Sequence, residues 1–215
     1  MNVVEVVLVA LVGLVVSGSP GWTALESQVV VAVNAAHGWP LDAVATGLNF
    51  LFGPLCAGLI AVLVVAWAGF LARSWKTSLR VALMIGVPVA LADVIKVIVH
   101  RARPDAGLLT HPIGVDPTTF SYPSGHTAFA AALMMTIVVF SVPSARAMVA
   151  VGGVAVVVVT AWSRMYLGVH YPTDVLASIL LVPIAVVAVY EITARVPLFG
   201  ATRGALQHES VKDAS

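Results

Sequence analysis

Charged side chains are scarce in this sequence of 215 residues: Asp, Glu, Lys and Arg make up only 10% of it, against about 25% in a typical globular domain. Cysteine is scarcer still, since Cys56 stands alone, which excludes a disulfide framework and a four-cysteine metal centre. The net charge of +1 leaves no basic surface that would suit a nucleic acid. Apolar residues fill the gap, at 60% of the chain with a mean hydropathy of +1.02.

The apolar residues form long runs of Val, Ala and Leu. A soluble domain of this size could not bury so much apolar surface, whereas a spanning helix needs about 20 such residues. We therefore predict an all-α, polytopic membrane bundle of about six transmembrane helices, forming a single membrane domain. The predicted spans lie at residues 1–17, 54–72, 80–100, 124–142, 147–165 and 173–193.

The connection after the first span has an amphipathic pattern. Trp22, Leu25, Val29 and Val33 recur at helical spacing, which predicts an external amphipathic helix on the membrane surface, with Trp22 and Trp39 as interfacial anchors. The domain then consists of a first span, this external segment, a five-span catalytic core and a cytoplasmic tail, at residues 1–21, 22–53, 54–193 and 194–215.

Lys and Arg in the short loops predict the orientation, because they favour the cytoplasmic side. They predict that both termini are cytoplasmic and that loops 101–123 and 166–172 face the exterior. Arg101 and Arg103 lie outside against this rule, which suggests that function retains them. The residues that set the orientation are Arg73, Lys76, Arg80, Arg146, Arg195, Arg203 and Lys212.

Three groups of polar residues collect at the external ends of the later spans. In the first, Lys96 and Arg103 are seven positions apart, nearly two helical turns, and would share one helix face. Pro104 predicts that the helix ends at about Arg103. The pair could bind an anion, or its members could simply extend their side chains toward the interface.

The second group is Pro123-Ser124-Gly125-His126, followed directly by an apolar run. Free N–H groups at a helix start, beside a glycine that lets an anion approach, favour phosphate binding. Helix capping alone would account for Ser124 but does not need His126.

The third group contains Arg164, His170 and Asp174. Pro172 suits the first turn of a helix, so His170 would lie just before that helix and Asp174 within its first turn. A carboxylate there could fix the imidazole tautomer, or it could merely complement the helix dipole. Together the groups predict phosphoryl transfer through a covalent histidine intermediate.

These motifs resemble those of the type 2 phosphatidic acid phosphatase superfamily. The pattern is Lys, six residues, Arg-Pro; then Pro-Ser-Gly-His; then Ser-Arg, five residues, His, three residues, Asp. All eleven letters are present in order, and they span residues 96–174. Three motifs in register make a chance match improbable.

The resemblance implies the roles of the site residues. His170 would be the nucleophile that forms a phosphohistidine, Asp174 would orient it, and His126 would be the general acid. The phosphate would be bound by Lys96, Arg103, Ser124, Gly125 and Arg164. The family needs no cofactor and no metal, and the acids and histidines of the sequence have no metal-ligand spacing apart from the His170–Asp174 pair.

The function that follows is a lipid phosphatase of the cell membrane, with its active site facing the periplasm or exterior. Its partners would be the bilayer and a phosphorylated lipid, with a polyprenyl diphosphate carrier (undecaprenyl or decaprenyl type) favoured over phosphatidylglycerophosphate or phosphatidate. Two alternatives stay open: a lipid phosphotransferase and a non-enzymatic transporter or lipid-binding protein. Paired interrupted spans, which are frequent in transporters, are not visible here. The oligomeric state stays undetermined.

Overall fold

The computed structural model describes residues 3–112 and 119–199. Over these ranges the chain contains α-helices and two short 3-10 helices but no strand, which confirms the predicted all-α class. The predicted tail lies outside the described residues from residue 200 onward. The α-helices are α1 (Val3–Ser17), α2 (Pro20–Asn34), α3 (Trp39–Leu51), α4 (Pro54–Ala72), α5 (Trp75–Val99), α6 (Gly125–Phe140), α7 (Pro143–Tyr166) and α8 (Pro172–Arg195).

Each of the six predicted spans coincides with a helix of the structure. The chain is a multi-pass membrane protein. Among the described residues, 4 helices are long and apolar enough to cross a membrane, namely α4, α5, α7 and α8. Helices α1 and α2 qualify only as a pair, bent by 89° at the break between them. Helix α6 has 16 residues and is about 24 Å long, shorter than a hydrocarbon core of about 30 Å.

Helix α6 lies at the centre of the bundle and packs against α5, α7 and α8. Its first half buries four alanines, Ala128, Ala130, Ala131 and Ala132. Small residues at these positions let neighbouring helices approach closely without lipid between them. This packing brings the end of α5, the start of α6, the end of α7 and the start of α8 to one end of the bundle.

The external segment forms two helices, α2 and α3, where the sequence predicts one. Pro40 lies in the first turn of α3, and a proline cannot continue a preceding helix because it lacks the N–H and clashes with the previous turn. Helix α2 buries Glu26 and Asn34 and leaves Trp22 and Leu25 exposed. The buried side of α2 therefore carries its acid and its asparagine, while two large apolar side chains of the other side point outward.

Candidate active site

The end of α5 carries the first motif, but the helix stops earlier than predicted. It ends at Val99 because His100 adopts a left-handed conformation (φ 51), a frequent way for a helix to end. Arg103 therefore does not continue a helix face shared with Lys96, and the loop after α5 carries it into the site. Lys96 points toward the second motif: a Cβ added at Gly125 would lie 3.5 Å from Lys96 Nζ.

Arg103 is held in the site by main-chain oxygens. Its Nε donates to the carbonyl of Thr119 at 2.7 Å, and its Nη1 donates to the carbonyl of Val169 at 2.7 Å. Nη1 also lies 3.1 Å from His170 Nε2. Burial lowers the pKa of Arg103 to about 10, so the guanidinium stays charged at neutral pH.

The second motif starts α6 as predicted. Ser124 is the N-cap, and its Oγ accepts a hydrogen bond of 3.0 Å from the Thr127 hydroxyl. The main chain of Ser124 is tied to α8, since its N–H donates to the Asp174 carbonyl at 3.0 Å and its carbonyl accepts from Ser178 Oγ at 2.9 Å. Ser124 therefore caps α6, as one interpretation of the sequence predicts, and its main-chain hydrogen bonds fix the start of α6 relative to the third motif.

His126 and Arg164 meet at a single residue of α3. The carbonyl of Asn49 lies 3.2 Å from His126 Nε2, and its side-chain Oδ1 accepts from Arg164 Nη1 at 2.8 Å. Arg164, in the last turn of α7, is only 1% exposed and also donates to Ser163 Oγ. Helix α3 therefore contributes a contact to two predicted site residues.

His170 lies in the loop between α7 and α8 and is 2% exposed. Gly168 permits the turn before it, with φ +70 and with Leu109 filling the space where a side chain would be. His170 Nδ1 faces Asp174 Oδ2 at 3.4 Å, which is longer than a normal hydrogen bond. Burial lowers the pKa of His170 to about 4, with Arg103 and Lys96 adding to the effect and Asp174 opposing it. The imidazole is therefore neutral at neutral pH.

The predicted site residues thus come together from four helix ends. Lys96, Arg103 and Arg164, which we call the cation cluster, surround the two histidines closely enough for their charges to act on them. Over the described part of the chain, none of the three forms an ion pair with a carboxylate. Arg164 is buried and Lys96 and Arg103 are partly buried, and such cations without counter-charges favour an anionic ligand. A phosphoryl group fits both the charge and the adjacent neutral imidazole.

Sequence reasoning missed three residues that contact the site, Asn49, Glu26 and Thr173, and it singled out a fourth, Arg101, without assigning it a role. Asn49 binds Arg164, and Glu26, Arg101 and Thr173 form hydrogen bonds around Asp174. Glu26 gave one signal, because it is an acid within a mostly apolar segment. Asn49 gave none, since an amide on an amphipathic helix is ordinary.

The sequence model described as the PAP2 superfamily matches residues 77–196. The chain is 33% identical to phosphatidylglycerophosphatase B of Bacillus subtilis, over 68% of this chain and 72% of that protein. It is 37% identical to decaprenylphosphoryl-5-phosphoribose phosphatase of Mycolicibacterium smegmatis, over 71% of this chain and 81% of that one. The fold resembles the crystal structure of a PAP2-type phosphatidylglycerolphosphate phosphatase from Bacillus subtilis, with a TM-score of 0.77, 26% identity, and coverage of 92% of this chain and 98% of the other.

Proposed function

This chain belongs to the PAP2 superfamily and is a membrane lipid phosphatase, and from that premise we propose that it hydrolyses a polyprenyl diphosphate through a phosphohistidine. The observation that carries the proposal is the buried His170, whose Nε2 lies beside Arg103 of the cation cluster and whose Nδ1 faces Asp174. The three positive charges would balance the charge of a diphosphate better than that of a monoester. The decaprenyl-linked substrate in the name of the mycobacterial relative supports the polyprenyl tail.

In the first step, His170 attacks the terminal phosphorus with the lone pair of Nε2, the nitrogen remote from Asp174. The P–N bond forms as the bond from phosphorus to the bridging oxygen breaks. The negative charge of the bound diphosphate favours the protonated form of His126, which donates its proton to the departing lipid phosphate. Asp174 stabilises the positive charge that develops on the imidazole ring of His170.

In the second step, water attacks the phosphohistidine. Neutral His126 accepts a proton from this water, the P–N bond breaks, and inorganic phosphate leaves with His170 restored. Throughout both steps Lys96, Arg103, Arg164, the Ser124 hydroxyl and the main-chain N–H of Gly125 bind the non-bridging oxygens, where negative charge accumulates.

The mechanism uses no metal, because the cation cluster supplies the positive charge that a metal ion would otherwise provide. A chelator in excess should therefore leave the rate unchanged. A large loss of activity that added metal restores would contradict this part of the proposal.

The site would face the exterior, with both termini in the cytoplasm and the whole chain acting as one membrane domain. Support comes from Arg80, at the far end of α5 from Lys96, which donates to Thr193 Oγ1 near the end of α8 at 2.9 Å. The basic residues that favour the cytoplasm thus lie at the end of the bundle opposite the site. In a Cys56→Ala background, an impermeant thiol reagent should label Gly107→Cys in intact cells, and labelling only after lysis would reverse this orientation.

A second substrate class is favoured by a specific observation. The B. subtilis protein of known structure, with which this chain shares a fold along 92% of its length, is named for phosphatidylglycerolphosphate. A glycerophospholipid monophosphate is therefore the alternative substrate, and it would use the same site and the same chemistry.

The test is phosphate release by purified protein from a panel containing undecaprenyl diphosphate, a decaprenyl-linked phosphoribose and phosphatidylglycerophosphate. We expect the highest kcat/KM on the diphosphate. His170→Ala should reduce kcat by at least about a thousandfold, because it removes the nucleophile. His126→Ala should slow release as well. Protein denatured in alkaline detergent, which preserves the acid-labile P–N bond, should carry label from the terminal phosphate of the diphosphate only when His170 is present. Full activity in His170→Ala would overturn the mechanism, and a preference for phosphatidylglycerophosphate would select the alternative substrate.

A further inference from the structure

Glu26 is a buried carboxylate that the mechanism above does not use. It lies on α2, before the residues matched by the PAP2 model, and is 4% exposed. A charge removed from water is strongly destabilising unless it is paired and hydrogen-bonded. The partners of Glu26 therefore indicate its role.

Those partners lie at the start of α8, the helix that carries Asp174. Glu26 Oε1 accepts from the Thr173 N–H at 2.7 Å, and Oε2 accepts from the Thr173 hydroxyl at 3.0 Å. The first N–H groups of a helix have no partner within the helix, and a negative charge there is favourable. Glu26 thus caps α8 from a different helix.

The remaining partner of Glu26 is Arg101, which is 2% exposed. Arg101 Nη2 donates to Glu26 Oε2 at 2.6 Å, while Nη1 donates to Asp174 Oδ1 at 2.8 Å. Its guanidinium also lies 4.1 Å from the centre of the Tyr171 ring. Burial alone would lower the pKa of Arg101, but the carboxylates of Asp174 and Glu26 raise it overall.

Glu26, Arg101 and Asp174, which we call the charge network, form a continuous path to the nucleophile. The second oxygen of Asp174, Oδ2, accepts from the Tyr171 N–H at 2.8 Å and faces His170 Nδ1. We propose that Glu26 is a positioning residue of the phosphatase: through Arg101 it orients Asp174 against His170 and preserves the negative charge that His170 experiences. The proposal rests on His170 being the nucleophile, as assigned above.

The formal charges of the network determine the field that acts on His170. With Glu26 and Asp174 ionised and Arg101 protonated, the network carries a single net negative charge. Without Glu26 it would be neutral, and Arg101 would cancel the field of Asp174 at His170. Because attack on phosphorus places positive charge on the imidazole, that loss would slow the step.

Apart from Glu26 and Arg101, the charged or titratable groups that act on His170 come from four parts of the chain. Lys96 on α5 and Arg103 in the loop after it lower its affinity for a proton, and Asp174 on α8 raises it. His126 on α6 is also within range. None of these groups changes in the variants below, so shifts between the pH profiles report on the charge network.

The main test compares Glu26→Gln, Arg101→Gln and the double variant, with phosphate release measured from pH 3.5 to 8. His170 attacks only when neutral, so the acid limb of kcat/KM follows its ionisation. Glu26→Gln removes a negative charge, which should move this limb to lower pH and reduce kcat about tenfold, with KM within about twofold. Arg101→Gln should move the limb to higher pH, and the double variant, with its single negative charge restored, should return it toward the wild-type position.

Glu26→Asp is the conservative variant and should recover part of kcat. If Glu26→Gln does not fold, Glu26→Asp decides, because it keeps the charge and moves the carboxylate: its kcat should lie below that of the wild type while its acid limb stays at the wild-type pH. A wild-type kcat in Glu26→Asp would then overturn the proposal. Asp42→Asn is the matched control: it removes a carboxylate from the neighbouring helix α3, where Asp42 contacts Tyr166 and His37. Its acid limb should coincide with that of the wild type.

A wild-type kcat and acid limb in Glu26→Gln would overturn the proposal. So would a double variant whose acid limb lies at a pH outside the interval between the two single variants. Either result together with an inactive His170→Ala would refute the role of Glu26 and leave the phosphatase mechanism intact. Activity in His170→Ala would instead refute the mechanism itself. The two failures are therefore distinguishable.

Discussion

The two sides of the His170 ring have opposite electrostatic designs. On the Nε2 side the cation cluster has no carboxylate partner over the described residues, and Arg103 lies 3.1 Å from the ring. On the Nδ1 side every charge of the charge network is paired within the protein, through contacts of 2.6 and 2.8 Å to Arg101. Arg101 and Arg103 are only two positions apart, yet they belong to different sides.

Arginine thus has two different roles around His170. A buried cation whose counter-charge is built in contributes to structure and orientation, whereas one without a counter-charge favours an external anion. The cation cluster on the Nε2 side thus favours binding of a phosphate, and the charge network on the Nδ1 side orients the histidine that would accept it. Substitutions that remove a cation, or that give an unpaired cation a carboxylate partner, should therefore have different effects on kcat and KM.

The largest effect should come from removing a member of the cation cluster. Arg103→Ala removes the guanidinium next to His170 and should reduce kcat/KM by about 100-fold to 1,000-fold, because charge stabilisation of the transition state is lost. Inorganic phosphate should also become a weaker inhibitor. Arg103→Lys should recover only part of the loss, since an ammonium cannot replace a forked donor.

Steady-state kinetics on the best substrate of the panel provide the measurement. Arg146→Ala serves as the control, because Arg146 belongs to the opposite, basic end of the bundle. Within the described ranges its guanidinium donates a hydrogen bond only to the carbonyl of Ser141. Equal losses in the two variants would mean that the cluster has no special role.

A pH effect on stability should follow from His170. Because burial lowers the pKa of His170 in the folded state to about 4 from 6.5, the unfolded chain binds a proton first as the pH falls. The stabilisation is therefore fully present above pH 6.5 and is lost progressively toward pH 4, by up to about 3 kcal/mol.

Unfolding in detergent at pH 7 and pH 4 would measure this effect. His170→Gln should reduce the difference between the two pH values by the stated amount. His100→Asn, at an exposed histidine in a left-handed position that asparagine tolerates, is the matched control. A wild-type pH dependence in His170→Gln would show that the histidine is not held neutral.

The smallest effect should come from placing a counter-charge beside the cation cluster. Asn49→Asp keeps the size of the side chain that contacts Arg164 at 2.8 Å, but pairs the arginine internally, as Arg101 is paired. We expect KM to rise about tenfold, since the carboxylate competes with phosphate. Asn49→Ala, which removes the contact without adding charge, should raise KM less, and identical KM values would refute the electrostatic explanation.

Much of the site could be predicted from the sequence, because its residues lie in three short segments with fixed spacing. Lys96, Ser124, Arg164 and His170 were all identified, and the structure brings them together. The position of Arg103 was predicted for the wrong reason: the left-handed His100 ends α5 early, and a loop performs what helical periodicity was expected to do.

The part that could not be predicted lies in α2 and α3. Glu26 and Asn49 are separated from their partners by 75 and 115 positions in the chain, and no local pattern relates such distant residues. The amphipathic pattern of α2 predicts a helix, but it does not show that Glu26 and Asn34 are buried while Trp22 and Leu25 are exposed.

The membrane class, the helices and the chemistry-bearing motifs can be predicted from the sequence, because hydropathy and short-range spacing are local properties. Which charges are paired depends on how the helices pack. Arg101 and Arg103 are the same residue type in the same segment, and what distinguishes them is the packing of α2 against the start of α8, which places Glu26 beside one and leaves the other facing His170. Pairing depends on distances between remote segments, and these exist only once the helices have packed.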